Sequence, residues 1–205
     1  MLGCYNYTVI LTYLGTLSGF IGITFASRGL PYPALICLMI SGFCDMFDGR
    51  ISATMDRTQQ EKRFGIQIDS LSDLVCFGVL PALTVYSICG SLLRYFVPAV
   101  YLLCALIRLA WFNVDEEMRQ DTEAGSRDVY LGLPVTCSAL ILPIIFEICR
   151  AGRLPLDVIC PVFLIITAAA FLTPFRLKKP ALVGKLIMLI IGAAVFFLTI
   201  LGVNV

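Results

Sequence analysis

The chain has 205 residues, of which 59% are hydrophobic and 14% are charged, and its mean hydropathy is +0.92. This composition is too apolar for a soluble domain of that length and indicates an integral membrane protein with several crossings. The net charge is +1 and the fifteen Lys and Arg are scattered, so no basic face predicts a nucleic-acid partner. The chain lacks histidine, which excludes Ser-His-Asp and Cys-His catalysis and imidazole-ligated zinc or haem.

Seven apolar segments are each close to the roughly 20 residues that cross a hydrocarbon core as a helix. They run approximately over residues 6–26, 31–54, 65–89, 95–113, 132–148, 156–172 and 183–203. The predicted fold class is therefore all-α, a polytopic bundle of about seven transmembrane helices, within a range of six to eight. Gly78 and Pro81 predict a kink in the third segment or its division into two short helices. We expect one domain over residues 1–205, because no repeat or long linker divides the chain.

The nine cysteines show no CxxC spacing and mostly lie inside apolar segments. This distribution favours small buried hydrophobic residues over disulfides or thiolate metal ligands.

The distribution of Lys and Arg predicts the orientation. If the second, fourth and sixth segments end on one side, that side carries nine basic residues and the other carries four. The nine are Arg57, Lys62, Arg63, Arg119, Arg127, Arg176, Lys178, Lys179 and Lys185, against Arg28, Arg94, Arg150 and Arg153. By the positive-inside rule the first side is cytoplasmic.

Four carboxylates lie at the edges of two apolar segments, where ionisable groups are costly and usually functional. Asp45 and Asp48 are three residues apart near the end of the second segment, and Asp69 and Asp73 are four apart near the start of the third. Each spacing places a pair on one helical face, and two consecutive antiparallel helices can bring both pairs together. The mutual repulsion requires a cation, and hard Mg²⁺ or Mn²⁺, as a pair of ions, suits oxygen ligands.

Other interpretations of this cluster remain open from the residues alone. The aspartates could form a cytoplasmic ion-pair belt with Arg50, Arg57, Lys62 or Arg63. They could also form the permeation site of a divalent-cation transporter, or belong to a purely structural membrane protein. Gly49 and Gly65, next to the aspartates in helical positions, indicate either close approach of a ligand to the backbone or close packing of helices.

The pattern Asp45-x2-Asp48-Gly49, followed by Gly65-x3-Asp69-x3-Asp73, resembles the signature of the CDP-alcohol phosphatidyltransferase family. That signature reads Asp-x2-Asp-Gly-x2-Ala-Arg-x8-Gly-x3-Asp-x3-Asp. The chain has Ser52-Ala53 where the family has Ala-Arg. Eleven residues, rather than the eight of the family, separate Ala53 from Gly65. The resemblance therefore implies nucleotide-lipid contacts from Gly49, Ser52 and Gly65, with Arg57 as a substitute for the family arginine.

Three further runs resemble the membrane-integral phosphatidylserine synthases within this family. They are FGIQIDSLSDLVCFGVLPA (64–82), LIRLAWFNV (106–114) and YLGLPVT (130–136). The resemblance implies transfer of a phosphatidyl group from CDP-diacylglycerol to L-serine, giving phosphatidylserine and CMP. It further implies metal ligation by the four aspartates and Asp73 as the base. The expected partners are membrane lipids and a second copy of the chain in a homodimer. The expected location is the plasma membrane of a prokaryote, and the count of basic residues places the site on the cytoplasmic side.

Candidates for the acceptor pocket are fewer. Arg108 lies inside the fourth segment, where an arginine needs an anion, a polar cavity or backbone carbonyls, and it is predicted to bind the serine carboxylate. Asn113 is the second acceptor-binding candidate. Glycerol 3-phosphate, inositol phosphate and choline-type alcohols remain alternative acceptors, although a phosphorylated acceptor should require several basic side chains.

Overall fold

The structure is a computed structural model that describes residues 3, 7–52, 54–55, 58–122, 129–178 and 182–203. Its helices are α1 (Ile10–Ser27), α2 (Pro31–Ser52), α3 (Gln59–Asp73), α4 (Leu80–Ile88), α5 (Leu93–Thr122), α6 (Ser138–Gly152), α7 (Leu156–Leu172) and α8 (Leu182–Val203). A π-helical turn (Leu74–Val79) connects α3 directly to α4, and short 3-10 turns cover Tyr7–Val9 and Val135–Cys137. Strands β1 (Val129–Leu131) and β2 (Arg176–Lys178) form one short antiparallel pair.

The predicted all-α fold class is confirmed. Within the described residues each predicted apolar segment is largely helical, although residues 54, 89 and 132–134 lie outside the helices. Among the described residues, four helical stretches are long and apolar enough to cross a membrane: Tyr7–Ser27, Gln59–Ile88, Arg94–Met118 and Val135–Gly152. Leu156–Leu172 and Ile187–Gly202 are shorter apolar helices. The protein is therefore an integral membrane protein, and the number of seven crossings stays a prediction.

Contacts between loops show which helix ends lie together. Strands β1 and β2 join the connection between α5 and α6 to the connection between α7 and α8. The hydroxyl of Tyr7, before α1, lies 3.1 Å from Oγ1 of Thr54, just after α2. In contrast, Cys89 after α4 contacts Asp157 at the start of α7. These pairs agree with helices that run alternately up and down the bundle, as the count of basic residues assumed.

Helix α1 lies unusually close to its neighbours because glycines occupy its inner face. A Cβ on Gly19 would lie 2.5 Å from Sγ and 3.3 Å from Cα of Cys76, in the π-helical turn. A Cβ on Gly22 would lie 2.8 Å from Cβ of Cys37 in α2. Small residues allow this approach, which drives helix association in lipid. The glycine face thus fixes α1 against the two segments that carry the aspartates.

The π-helical turn lies just before Pro81, in the region where the sequence predicted a kink. Because proline has no N–H, it cannot donate to the carbonyl of Phe77, four residues earlier. The Tyr101 hydroxyl from α5 donates to this carbonyl instead, at 2.7 Å, and Ser138 Oγ from α6 lies at 3.5 Å. An unsatisfied carbonyl in a membrane interior would cost several kcal/mol. Tyr101 therefore stabilises the irregular turn that directly follows Asp73.

The cysteines behave as the sequence predicted. All eight in the described part of the chain are free, and all but Cys137 are buried. Cys89 also has a structural role, since its Sγ donates to the Asp157 carbonyl at 3.5 Å. This carbonyl lies four residues before Pro161 and has lost its helical partner in the same way as that of Phe77.

We expect Tyr101→Phe to lower the free energy of unfolding by about 1–2 kcal/mol, because it removes the main donor to a buried carbonyl. Thermal unfolding in detergent measures the effect. Tyr95→Phe is the matched control, since the Tyr95 side chain is 55% exposed and the ring is retained. Equal stability of the two variants would contradict the role given to Tyr101.

Candidate functional site

The structure brings the four predicted aspartates to one place. Asp45 and Asp48 lie in the last two turns of α2, and Asp69 and Asp73 lie in the second half of α3. One carboxylate oxygen from each of Asp45, Asp48 and Asp69 lies within 4.8 Å of the other two. Asp73 lines the same cleft. The predicted meeting of the two pairs is thus observed, while the roles of the residues stay predictions.

This cleft lies between α1, α2, α3 and the π-helical turn. Its lining consists of Leu11, Thr12, Gly15, Ser41, Cys44, Asp45, Asp48, Asp69, Ser72, Asp73, Cys76 and Phe77. Within the described ranges the lining includes no Lys or Arg. The site is therefore rich in carboxylate charge and has hydroxyl groups, rather than bases, around it.

Local sequence explains why the second pair of aspartates faces the cleft. Helix α3 begins with a capping box, in which Glu61 N–H donates to Thr58 Oγ1 and Thr58 N–H donates to the Glu61 carboxylate. This cap fixes where the helix starts, and Asp69 and Asp73 then lie one turn apart on one face. The opposite side of α3 faces α5, where Gln67 Nε2 donates to Glu117 at 3.1 Å.

The charges in the cleft need a partner that the cleft's own lining does not provide. Two carboxylates about 4.8 Å apart repel by about 3.5 kcal/mol at an effective dielectric constant of about 20. Lys62 and Arg63, proposed above for an ion-pair belt, have exposed side chains and do not line the cleft. The side chain of Arg50 and residue Arg57 lie outside the described part of the chain. A bound cation is the simplest source of compensation.

The residues present fit a hard divalent cation. Asp45, Asp48 and Asp69 offer only oxygen ligands, which Mg²⁺ and Mn²⁺ prefer, and the spread of 4.8 Å lets three oxygens surround one ion. Asp73, in the same cleft, is available for a second ion. A metal site formed by these carboxylates is therefore chemically reasonable, and the number of ions stays a prediction.

Sequence reasoning missed the hydroxyl groups around the aspartates. Thr12 Oγ1 on α1 donates to Asp48 Oδ2 at 3.2 Å. The hydroxyls of Thr16 and Ser72 lie 2.7 Å apart and connect α1 to α3 beside Asp73. The available signal was the spacing of Thr12 with the glycines of α1, which places all of them on one helical face.

The predicted nucleotide-lipid residues are only partly described. Gly49 lies inside α2 next to Asp48, is exposed, and a Cβ there would meet no atom within 4 Å. Packing within the described protein therefore does not require glycine at this position. Gly65 lies inside α3 and Ser52 is the last residue of α2, but the Ser52 side chain and all of Arg57 fall outside the description. The substitution of Arg57 for the family arginine stays a prediction.

The two acceptor candidates lie beside the cleft rather than in its lining. The Arg108 side chain is 8% exposed, and its Nε donates to the Leu133 carbonyl at 3.4 Å. Asn113 accepts a hydrogen bond from Ser70 and donates to Gln67 Oε1 at 3.4 Å, so it connects α5 to α3 next to Asp69. Neither side chain is among the described residues that line the cleft.

The Gly-Leu-Pro run that contacts Arg108 has a clear structural reason for its glycine. Gly132 has a φ of 75°, and a Cβ there would lie 3.1 Å from the Thr173 carbonyl oxygen. Its N–H donates to the Phe175 carbonyl at 2.7 Å. Only glycine adopts this conformation without strain at such close approach. The run therefore anchors the start of α6 to the end of α7 and places the Leu133 carbonyl against Arg108.

Comparison with known proteins gives relatives of consistent type. A chain from Mycobacterium bovis, named CDP-diacylglycerol--serine O-phosphatidyltransferase, is 30% identical over 132 residues, which are 63% of this chain and 45% of the relative. The protein of that name from Saccharomyces cerevisiae is 33% identical over 142 residues, 64% of this chain and 50% of the relative. An archaetidylserine synthase from Methanothermobacter thermautotrophicus is 29% identical over 135 residues, 65% and 54% respectively. The matches thus span about half the length of these curated relatives.

The family itself is established over nearly the whole sequence. A model of the CDP-alcohol phosphatidyltransferase family matches residues 5–203. This range includes the four aspartates of the cleft and all eight α-helices. The chain therefore belongs to the CDP-alcohol phosphatidyltransferase family.

Proposed function

We propose that this protein transfers a phosphatidyl group from CDP-diacylglycerol to the hydroxyl of L-serine, giving phosphatidylserine and CMP. The observation that carries the proposal is the cleft in which Asp45, Asp48 and Asp69 place their oxygens within 4.8 Å of one another, in a chain of this family. The serine acceptor is supported by the names of the relatives, which include serine in bacteria, yeast and an archaeon. Family membership favours this transferase over a divalent-cation transporter.

The reaction replaces one bond to phosphorus with another. The serine oxygen forms a bond to the lipid-side phosphorus, the bond from that phosphorus to the CMP oxygen breaks, and CMP leaves with the bonding electrons. Mg²⁺ or Mn²⁺ bound by the four aspartates would neutralise the diphosphate and the charge that develops on the leaving CMP. Asp45, Asp48 and Asp69 would provide the oxygen ligands that hold the ion.

Asp73 is the proposed base that accepts the proton of the serine hydroxyl. It is the last residue of α3, is partly buried, and lies in the cleft where the irregular π-helical turn begins. Next to cations a carboxylate is a weak base, so Asp73 would act while charge develops on the attacking oxygen rather than before. The hydrogen bonds of Ser72 and Tyr101 around this turn restrict its geometry.

An acceptor without a phosphate fits the cleft best. Glycerol 3-phosphate or inositol phosphate would add negative charge to a site whose described lining contains no Lys or Arg. L-Serine is zwitterionic and adds no net charge. We propose Arg108 as the partner of its carboxylate and Asn113 as a second polar contact, which requires the acceptor to reach past the cleft toward α5.

The membrane setting follows from the donor. Acyl chains of CDP-diacylglycerol would remain among membrane lipids while the nucleotide enters the cleft at the end of α2. The proposed location is the plasma membrane of a prokaryote with the cleft toward the cytoplasm, as the distribution of basic residues supports. We propose a homodimer as the assembly, by analogy with the family.

The test is an acceptor panel with purified protein, CDP-diacylglycerol and Mn²⁺, measuring CMP release. We expect L-serine to support release, glycerol 3-phosphate and inositol phosphate to give none above background, and EDTA to abolish it. Release that follows a phosphorylated acceptor and not serine would overturn the proposed acceptor. Metal-independent release would overturn the proposed site.

Asp73→Asn should lower turnover at least about a hundredfold, to a level near background, because the amide cannot accept the proton. Binding of CDP-diacylglycerol should stay measurable, since Asp45, Asp48 and Asp69 are retained. Asp157→Asn, a change at the start of α7, is the matched control and should keep full activity. Near-normal turnover of Asp73→Asn would remove Asp73 from the role of base.

Gly49→Ala should fold at least as stably as the original protein, because its Cβ meets no atom within 4 Å and alanine is the better helix former. If the nucleotide diphosphate approaches the backbone at this position, the same change should weaken CDP-lipid binding by about tenfold or more. The measurements are thermal unfolding and a binding titration on one preparation. Unchanged affinity would show that Gly49 does not face the donor.

A further inference from the structure

The most informative contact outside the assigned residues joins α1 to the carboxylate cluster. Thr12 Oγ1 donates to Asp48 Oδ2 at 3.2 Å, across 36 residues of sequence. The Thr12 side chain is only 7% exposed and lines the cleft beside Asp48. Since the chain's own helix carbonyls could have accepted this proton, as happens at Thr16, the bond to Asp48 is a specific feature of the fold.

The position of the Thr12 hydroxyl is fixed by several independent contacts of α1. Gly19 brings α1 against Cys76 so closely that a Cβ would not fit. Thr16, one turn from Thr12, lies 2.7 Å from the Ser72 hydroxyl on α3. Ser41 Oγ on α2 donates to the Gly15 carbonyl at 2.9 Å. Helix α1 therefore contacts both helices that carry the aspartates, and these contacts fix the position of the Thr12 hydroxyl.

A neutral donor is the appropriate group at that point. Asp48 has carboxylate neighbours whose oxygens lie within 4.8 Å and repel its own, and the hydrogen bond from Thr12 opposes rotation of the side chain away from them. Lys or Arg would orient it too, but would compete with a cation for the same charge. A hydroxyl orients the carboxylate and leaves its charge for the metal.

We propose that Thr12 is a positioning residue, whose hydroxyl holds the Asp48 carboxylate in the orientation in which it binds the metal ion. This inference rests on the proposed function, because it assumes the metal site formed by Asp45, Asp48 and Asp69. Thr12 itself makes no contact with substrate in this account. Its effect on turnover is exerted through the affinity of the site for the ion.

The test is a titration of the full-length protein with Mn²⁺, followed by electron paramagnetic resonance in the absence of either substrate. Thr12→Val keeps the shape and removes the donor, and we expect it to weaken Mn²⁺ binding by about tenfold or more, as loss of such supporting hydrogen bonds does. Thr12→Ser should restore binding to within about threefold because it keeps the hydroxyl. Thr24→Val is the matched control on α1, since Thr24 is exposed and its hydroxyl donates to the Ile21 carbonyl of its own helix, at 2.7 Å.

The outcomes separate this inference from the proposed function. Mn²⁺ binding by the original protein, with Thr12→Val unchanged, would overturn the role of Thr12 alone. Absence of binding by the original protein would overturn the metal site and the inference with it. In an Asp48→Asn background, Thr12→Val should cause no further loss, and a full additional loss would show that Thr12 acts elsewhere. Thermal unfolding of each variant verifies that the protein is folded.

Discussion

The mutual repulsion of carboxylates in a poorly solvated cleft is the constraint on which the rest of the structure depends. Asp45, Asp48 and Asp69 lie within 4.8 Å of one another, and no Lys or Arg is found in the described lining of their cleft. The repulsion in such an arrangement is relieved when a cation offsets the charge or when a carboxylate takes up a proton. The same repulsion would favour binding of the divalent ions that the proposed reaction needs to offset the charge of a diphosphate.

The scaffold provides rigidity by satisfying backbone groups that its prolines release. The Phe77 carbonyl, freed by Pro81, accepts from the Tyr101 hydroxyl, and the Asp157 carbonyl, freed by Pro161, accepts from Cys89. The first bond joins α5 to the π-helical turn, and the second joins the end of α4 to α7. The backbone irregularities caused by proline therefore lie where helical segments contact one another. The first of them lies immediately after Asp73, where a defined backbone geometry matters most to the proposed base.

Much of this architecture could be predicted because long apolar segments and ionisable residues at their edges are visible in a sequence. The helical segments followed from hydropathy, and the meeting of the aspartates followed from their spacing of three and four residues on consecutive helices. The spacing of Thr12 with the glycines of α1 places its side chain on the packed face of that helix, but a threonine in an apolar helix usually bonds to its own backbone. Only the tertiary fold shows that the Thr12 hydroxyl reaches Asp48. For Arg108, the structure shows a hydrogen bond to the Leu133 carbonyl, which lies on a connection whose path depends on Gly132 and could not be derived from the sequence. Its predicted role toward the acceptor stays a prediction.

The central claim is that a cation compensates the carboxylate cluster, and thermal unfolding in detergent at pH 8 tests it most directly. The original protein and Asp69→Asn would each be unfolded in EDTA and in Mn²⁺. In EDTA the variant should be the more stable of the two, because one repelling charge is gone, and in Mn²⁺ the order should reverse, because the original protein binds the ion more tightly. The account would be contradicted if the original protein were more stable than Asp69→Asn in EDTA and were not stabilised by Mn²⁺.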